Sequence, residues 1–550
     1  MQKRTRAAVI AGLSLSALLA SCGGGGGNGS GGNGTDAPAA QPQGKEGGSV
    51  SIRGCNPQNP LIGGSTNEVC GGDIIDAVTA ALIHYNQETS APELDVAESI
   101  ETSDSQNFTV KIKKGYMFSD GTEIKAKNFV DAWNWVAYGP NAQLNNYFFE
   151  PIAGYADLQA EGNATPKAKE LSGLKVVDDH TFTIQTSGKV SNLQVRLGYP
   201  AYAPLPDVFF TDKEAYGKKP ITAGPFTVES WTPNREVVIK KNPNYSGEYK
   251  PHVDQVTFKL YQDIEAAYKD LQAGNLDATN DMPQSAMLDE KYKRDFPDRW
   301  ITNPVATNQT ISFARKATDP SVQNPKFRQA LSMAIDRATI SKQIFSGARV
   351  PATGWVSPAV DGYAKDGCGE YCTYNPEKAK QLLAEAGGYT GTLTLSYNAD
   401  SDHGPWTTAV CNSIKTNLGI NCVATPVVDF KTFRDQITKG EMKGMYRTGW
   451  QSDYPSIENF LTPLYATNAS SNDGKYSDPA FDAKLAEAAA APSLEEANKL
   501  YQEAEKMLQN GMPAIPMFDY NQSIVWSDKV TNVKQTPKGT VDLTSIQVAG

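Results

Sequence analysis

Between residues 23 and 34 the chain is glycine at every position except Asn28, Ser30 and Asn33, and Thr35 to Gly48 continues with Ala, Pro, Gln and Gly. A segment of this composition buries too little apolar surface to offset the entropy of ordering it. It behaves as a flexible tether whose ends lie roughly 25–30 Å apart for about 25 residues. The folded part is expected from Ser49 onward, which leaves about 500 residues for it. That length exceeds what one compact core accommodates, so two or three structural units are expected.

Ahead of the tether, Lys3, Arg4 and Arg6 precede the apolar run Ala7 to Ala20, which is too short to span a bilayer as a mature helix and reads as an export signal. The run closes on Leu19-Ala20-Ser21-Cys22, which resembles the bacterial lipoprotein signal. That resemblance implies cleavage between Ser21 and Cys22 and a diacylglyceryl group on the Cys22 thiol. Two acyl chains then hold the protein on the extracytoplasmic face of the membrane without crossing it. Residues 1–21 are accordingly expected to be a signal peptide and 22–48 a tether.

The formal net charge is −10, and it becomes about −13 once the three leader cations are removed, which argues against nucleic acid or anionic lipid as the main partner. Seven cysteines become six when Cys22 carries lipid. An even count in an exported chain favours disulfides, with fifteen connectivities open. The local pairing Cys55 with Cys70, Cys368 with Cys372 and Cys411 with Cys422 is preferred, because each pair encloses a short segment rich in Gly or Asn. A zinc site at Cys368-Gly-Glu-Tyr-Cys372 lacks a companion pair at the right spacing.

Strand and helix patterns alternate along the chain. Phe108, Val110 and Ile112 alternate with Thr109, Lys111 and Lys113 as in a half-buried strand, and after the turn Ser119-Asp120-Gly121 the residues Phe129, Val130, Trp133 and Ala137 recur at helical spacing. Farther on, Asn375-Pro376-Glu377 predicts a helix start, Ala379, Leu382, Leu383 and Ala386 its apolar face, and Gly387-Gly388 its end, with a strand over Thr392 to Tyr397. Ser493 and Glu496 fit a capping box ahead of a stripe at Ala497, Leu500, Ala504 and Leu508. The architecture is mixed α/β.

Catalytic signatures are missing. The four histidines, His84, His180, His252 and His403, are scattered, and HExxH, GxSxG and GxxxxGK[ST] do not occur, so an enzyme is not the reading and no cofactor is implied. Asn398, Asp400 and Asp402 alternate like a calcium loop, but the turn glycine, Gly404, comes one place late and Ala409 stands where a bidentate Glu is required.

Four segments together resemble the solute-binding proteins of peptide ABC importers, the oligopeptide- and dipeptide-binding cluster known as solute-binding protein family 5. They are FTVKIKKGYMFSDGTEIKAKNFVDAWNW from Phe108, TAGPFTVESWTPNREVVIKKNPNY from Thr222, FRQALSMAIDRATI from Phe327, and TGWQSDYPSIENFL from Thr448 with KYSDPAFDAKL after it. The resemblance covers essentially the whole mature chain. It implies a two-lobed periplasmic-binding-protein-like fold of type II with an extra subdomain and a ligand cleft between lobes that closes by hinge motion. Mapped here, 49–84, 206–300 and 526–550 form the hinge-bearing subdomain of the first lobe, 85–205 its extra subdomain, and 301–525 the second lobe.

The same resemblance implies the site. Asp453, in Gly-Trp-x-x-Asp-Tyr, holds the ligand's α-ammonium; Gly449 and Gln451 lie on the strand that pairs with the peptide main chain; Trp450 walls a side-chain pocket. Arg447 and His403 fall where cations meet the C-terminal carboxylate of peptides of different lengths, and Tyr147 resembles a cleft tyrosine. The third cation of that branch is missing, with Phe345 in its place.

The expected function is capture of oligopeptides by a monomeric lipoprotein and delivery to an ABC permease with its ATPase. Two alternatives stay open: the same fold binding a metal chelate, sugar or haem, and a lipoprotein that senses a peptide signal.

Overall fold

The computed structural model describes residues 44–550 apart from 88, 161–164, 316–319, 400–402, 429 and 470. The leader, Cys22, nearly all of the tether, and Asp400 and Asp402 therefore lie outside the described residues.

The ordered chain begins before Ser49. Lys45 N donates to Val548 O at 2.8 Å, Gly47 N to His252 O at 2.7 Å, and Gly48 N to the Asp254 carboxylate at 2.9 Å. Gly47 and Gly48 take φ of +79° and +85°, a region that glycine enters without the Cβ penalty. The end of the expected tether, residues 44–48, is thus a clasp held by Val548, His252 and Asp254.

One eleven-stranded sheet runs through the molecule. Its order is Asn421–Val427, Thr392–Asn398, Met445–Gln451, Trp300–Phe313, Ala514–Trp526, Ala278–Thr279, Ser49–Gly54, Gln255–Leu260, Glu236–Lys241 and Phe226–Thr232, with Arg349–Pro351 added beside Ala514–Trp526. Trp300–Phe313 and Ala514–Trp526 are the long members, and their antiparallel ladder breaks between Pro304 and Asn308, with a second register shift between Gln309 and Thr310. On one side of this break Val525 and Trp526 also pair with Thr279 and Ala278; on the other, Thr307 to Phe313 pair with Met445–Gln451. Two continuous strands therefore carry the chain from one lobe to the other.

A separate four-stranded sheet, ordered Ala97–Thr102, Asn107–Ile112, Thr181–Gln185 and Leu174–Asp178, is covered by the helix Ala126–Ala137. The periodic residues of that helix face the sheet as their spacing requires. Phe129 stacks on Phe182 at 5.8 Å, and Trp133 meets Phe182 edge-on at 5.6 Å and donates its indole N–H to Tyr202 O at 2.9 Å. Tyr454, from the second lobe, is buried in this same apolar cluster.

In the second lobe the helix Pro376–Glu385 starts on the Asn375 side chain, which accepts from Lys378 N, and Leu494–Gly511 starts on Ser493, which accepts from Glu496 N. The expected stripe on the latter needs correction at one position. Ala497, Ala504 and Leu508 are buried, but Tyr501 takes the place given to Leu500, and Glu505 is buried as well. The helix is packed from two sides: Trp355 N and Val356 N donate to Glu505 Oε1 at 2.8 and 3.2 Å, and Gly354 and Gly367 lie so close to this carboxyl that a Cβ at either would stand 2.4 Å from it. Burial pushes Glu505 up to about 7.

The six cysteines are joined as Cys55–Cys70, Cys368–Cys372 and Cys411–Cys422, each closing a short loop. Among the described residues no helix is long and apolar enough to cross a membrane.

Candidate ligand-binding site

The strand Met445–Gln451 is flanked along its length on one side only. Trp300–Phe313 pairs with it from Thr307↔Gln451 to Phe313↔Met445, whereas Thr392–Asn398 accompanies it only at Leu395↔Met445 and Ser396↔Tyr446. From Thr448 to Gln451 the other edge has no strand alongside among the described residues, which is the geometry an extended peptide needs to add itself to a sheet. Glycine at 449 is required by the paired side, since a Cβ there would stand 2.8 Å from the Asn308 carbonyl oxygen.

This edge opens on a cavity of about 660 Å³ whose walls include Tyr147, Arg447, Gly449, Trp450, Gln451 and Asp453. Its volume lies within the usual range for a ligand pocket. Six of the seven expected ligand residues thus come together. His403 does not line the cavity: it precedes the helix Gly404–Leu418, and its Nδ1 accepts from the Trp406 indole N–H at 3.1 Å. Phe345, in the position of the missing cation, packs edge-on against Phe518 at 5.5 Å.

Asp453 is held by Asn459, a side chain only 2% exposed. Asn459 Oδ1 accepts from Asp453 N and from Trp450 Nε1, each at 2.9 Å, and its Nδ2 donates to Asp453 Oδ2 at 3.2 Å. One amide therefore sets the position of both the acid and the aromatic wall. Burial pushes the Asp453 carboxyl up to about 6, against the pull of the Asn459 hydrogen bond and of Lys538. Around it stand Tyr85, Tyr147 and Tyr199, whose phenols are held above their ordinary range by burial and next by neighbours that include Asp453. Tyr147 and Tyr199 pack on Phe148 with ring centroids 4.6 and 4.3 Å away.

Arg447 lies earlier on the same strand. Its guanidinium donates to Asn398 Oδ1, from Nε at 2.7 Å and also from Nη2, and sits over the Phe433 ring at 5.3 Å. Three further cavity residues escaped the sequence reading: Arg328, Arg434 and Asp473. Arg434 and Asp473 form a two-pronged ion pair at 2.7 and 3.2 Å. Arg328 was in plain view in FRQALSMAIDR, and Asn459 in TGWQSDYPSIENFL, but neither pattern says that its side chain turns toward a cleft.

Immediately beyond Asp453 lies a buried ion pair between residues far apart in the chain. Arg196 Nη2 lies 3.1 Å from Glu458 Oε1, and the other carboxylate oxygen accepts from Asn192 Nδ2 at 3.0 Å and from Tyr454 OH at 2.6 Å.

Two lobes joined by paired strands, with a mixed polar cavity walled in part by the anchored Asp453, define a two-lobed solute-binding protein. The chain belongs to the bacterial extracellular solute-binding proteins, family 5, whose middle-region model matches residues 91–472. It is 30% identical over 444 residues to the periplasmic oligopeptide-binding protein OppA of Escherichia coli, covering 78% of this chain and 79% of that protein. The oligopeptide-binding protein OppA of Bacillus subtilis is 24% identical over 87% of this chain and 88% of its own. Among solved structures, the Escherichia coli murein tripeptide binding protein MppA superimposes with a TM-score of 0.77 at 22% identity, over 92% of this chain and 99% of that one. Membership of this family places the protein outside the cytoplasm.

Proposed function

We propose that this protein captures oligopeptides in the cleft around Asp453 and delivers them to the permease of an ABC importer, held at the membrane surface by lipid on Cys22. The observation that carries the reading is the pairing of an unaccompanied strand edge, Thr448 to Gln451, with a buried acid at its end. The edge offers main-chain hydrogen bonds common to all peptides, and Asp453 offers a countercharge to an α-ammonium. Arg447, farther along the same strand, is the cation for the ligand's carboxylate. Trp450 and Tyr147 form the walls between these ends, and such hydrated, roomy walls tolerate many side chains. The two lobes would close by bending where the long ladder breaks between Pro304 and Asn308.

Similarity to proteins named oligopeptide-binding in two organisms supports the substrate class. One structural neighbour, from Haemophilus influenzae, is an OppA in complex with the peptide RPPGFSPFR. A second reading, peptide sensing, is favoured by likeness to the pheromone receptor PrgZ, at a TM-score of 0.75 and 21% identity.

Mass spectrometry of ligand released from protein purified without denaturation tests the proposal. A mixture of peptides with free amino termini is expected. A sugar, chelate or haem in their place would refute the substrate class.

A further inference from the structure

Asp453 is a wall common to two cavities of opposite electrostatic character. The smaller, about 190 Å³, lies toward the first lobe and combines apolar surface from Ile83 and Phe226 with the carboxyls of Asp73, Asp95 and Asp542. The cations at its rim are already engaged, Lys538 Nζ with Asp76 at 2.6 Å and Arg53 Nη2 with Asp281 at 3.1 Å. His84 also faces this cavity, and burial lowers its pKa, so it adds no charge at neutral pH. Asp95 accepts from Tyr116 OH at 2.7 Å, and Asp542 from Thr544 N at 2.9 Å and from its hydroxyl at 2.6 Å. Asp73 has neither a hydrogen-bond nor an ion-pair partner among the described residues. Burial, and then Asp76, push it up to about 7, against the weaker pull of Lys538 and Arg53.

The larger cavity is the reverse. Its walls carry Arg328, Arg434, Arg447 and Lys475 against Asp453 and Asp473. Arg434 is neutralised by Asp473. Arg328, 8% exposed, has among the described residues only neutral partners: Val322 O at 2.7 Å, Gln323 Oε1 at 2.7 Å, Gly511 O at 3.5 Å and the face of Phe313 at 4.5 Å. A guanidinium removed from water without an anion gains from any ligand that supplies one.

Resting on the peptide reading above, we propose that the cleft selects the charge polarity of its ligand: a basic first side chain enters the small cavity toward Asp73, and an acidic side chain farther along the peptide lies against Arg328. The apolar walls suit the methylene stem of a lysine, whose ammonium then reaches the carboxyl beyond. Polarity is set by Asp453 at the junction, since an α-ammonium held there leaves the first side chain and the rest of the peptide on opposite sides.

Two pentapeptides of identical composition and net charge, Lys-Ala-Ala-Glu-Ala and Glu-Ala-Ala-Lys-Ala, isolate this effect. In calorimetry on the full folded chain the lysine-first isomer is expected to bind roughly tenfold tighter, because each isomer places its charges beside opposite or like partners. Asp73→Asn and Arg328→Met should each narrow the difference by weakening the lysine-first isomer. If Arg328→Met fails to fold, Asp73→Asn decides alone, since it removes a half-buried carboxyl with no partner among the described residues. Equal affinities, or tighter binding of the glutamate-first isomer, would overturn the polarity rule and leave the peptide reading intact. Binding of neither isomer would overturn both.

Discussion

Replacing Asp453 by Asn should stabilise the empty protein and weaken it as a receptor. The carboxyl sits at about 6 in the folded state against an ordinary 3.8, chiefly because it is buried. The folded chain therefore binds this proton more tightly than the unfolded chain does. Stability contributed by the protonated form is fully present below pH 3.8 and is lost as pH rises toward 6. From those two values the ionised carboxylate costs on the order of 3 kcal/mol at pH 7, at roughly 1.4 kcal/mol for each pH unit between them. Asn carries no proton to lose, so the variant should gain up to that amount at pH 7 and little at pH 3.5. The Asn459 Nδ2 donor, 3.2 Å away, keeps an oxygen to meet in either case. Binding moves the other way: an ammonium closed into the cleft without its anion loses about 2–5 kcal/mol, well over tenfold in affinity. Because the acid must be ionised to hold an ammonium, wild-type affinity should fall up to about tenfold per pH unit below 6, and the variant should show no such slope. Denaturant unfolding of ligand-free protein at both pH values, and calorimetry with free and N-acetylated peptides from pH 5 to 7, measure all three effects. A variant that is less stable at pH 7, or that keeps the wild-type preference for free over acetylated peptides, would refute the reasoning.

Three further outcomes follow from particular contacts. Gly449→Ala forces a Cβ to within 2.8 Å of a backbone oxygen and should cost about 1–3 kcal/mol, while weakening free and acetylated peptides alike; an unchanged unfolding midpoint would show that the strands can part there. Arg196→Met strands the Glu458 carboxylate, whose side chain is 2% exposed, and should destabilise by about 3–5 kcal/mol, most of it regained in Arg196→Met/Glu458→Met; additive losses in thermal unfolding would argue against a coupled pair. Cys22→Ser should release a folded protein from the membrane fraction, and a variant that still pelleted after a salt wash would exclude the lipid anchor.

Much of the local structure was legible in the sequence because local chemistry dictates it. Asn375-Pro376 supplies a cap and a pre-set φ, and Gly387 and Gly388 adopt φ of +93° and +77° where the helix must stop, so both ends of Pro376–Glu385 are written in a few residues. Long-range features are not written that way. The passage of Trp300–Phe313 and Ala514–Trp526 through both lobes depends on which strands flank them, and no periodicity encodes a neighbour. Glu505 shows the same limit: a glutamate on a helix reads as solvated until Gly354 and Gly367 are found pressed against it.

At the site, the resemblance supplied the residues that a ligand would touch, and the folded chain supplied those that hold them. Asp453 and Trp450 stand out in a motif, but the amide that fixes both is Asn459, six residues after the acid, and its role exists only because a turn folds it back. His403 also has a neighbour that no motif announces: Trp406, three residues on in the helix Gly404–Leu418, donates its indole N–H to His403 Nδ1. Arg447 is likewise steered by a neighbour: the Asn398 side-chain oxygen accepts from its guanidinium and fixes where along Met445–Gln451 that group stands.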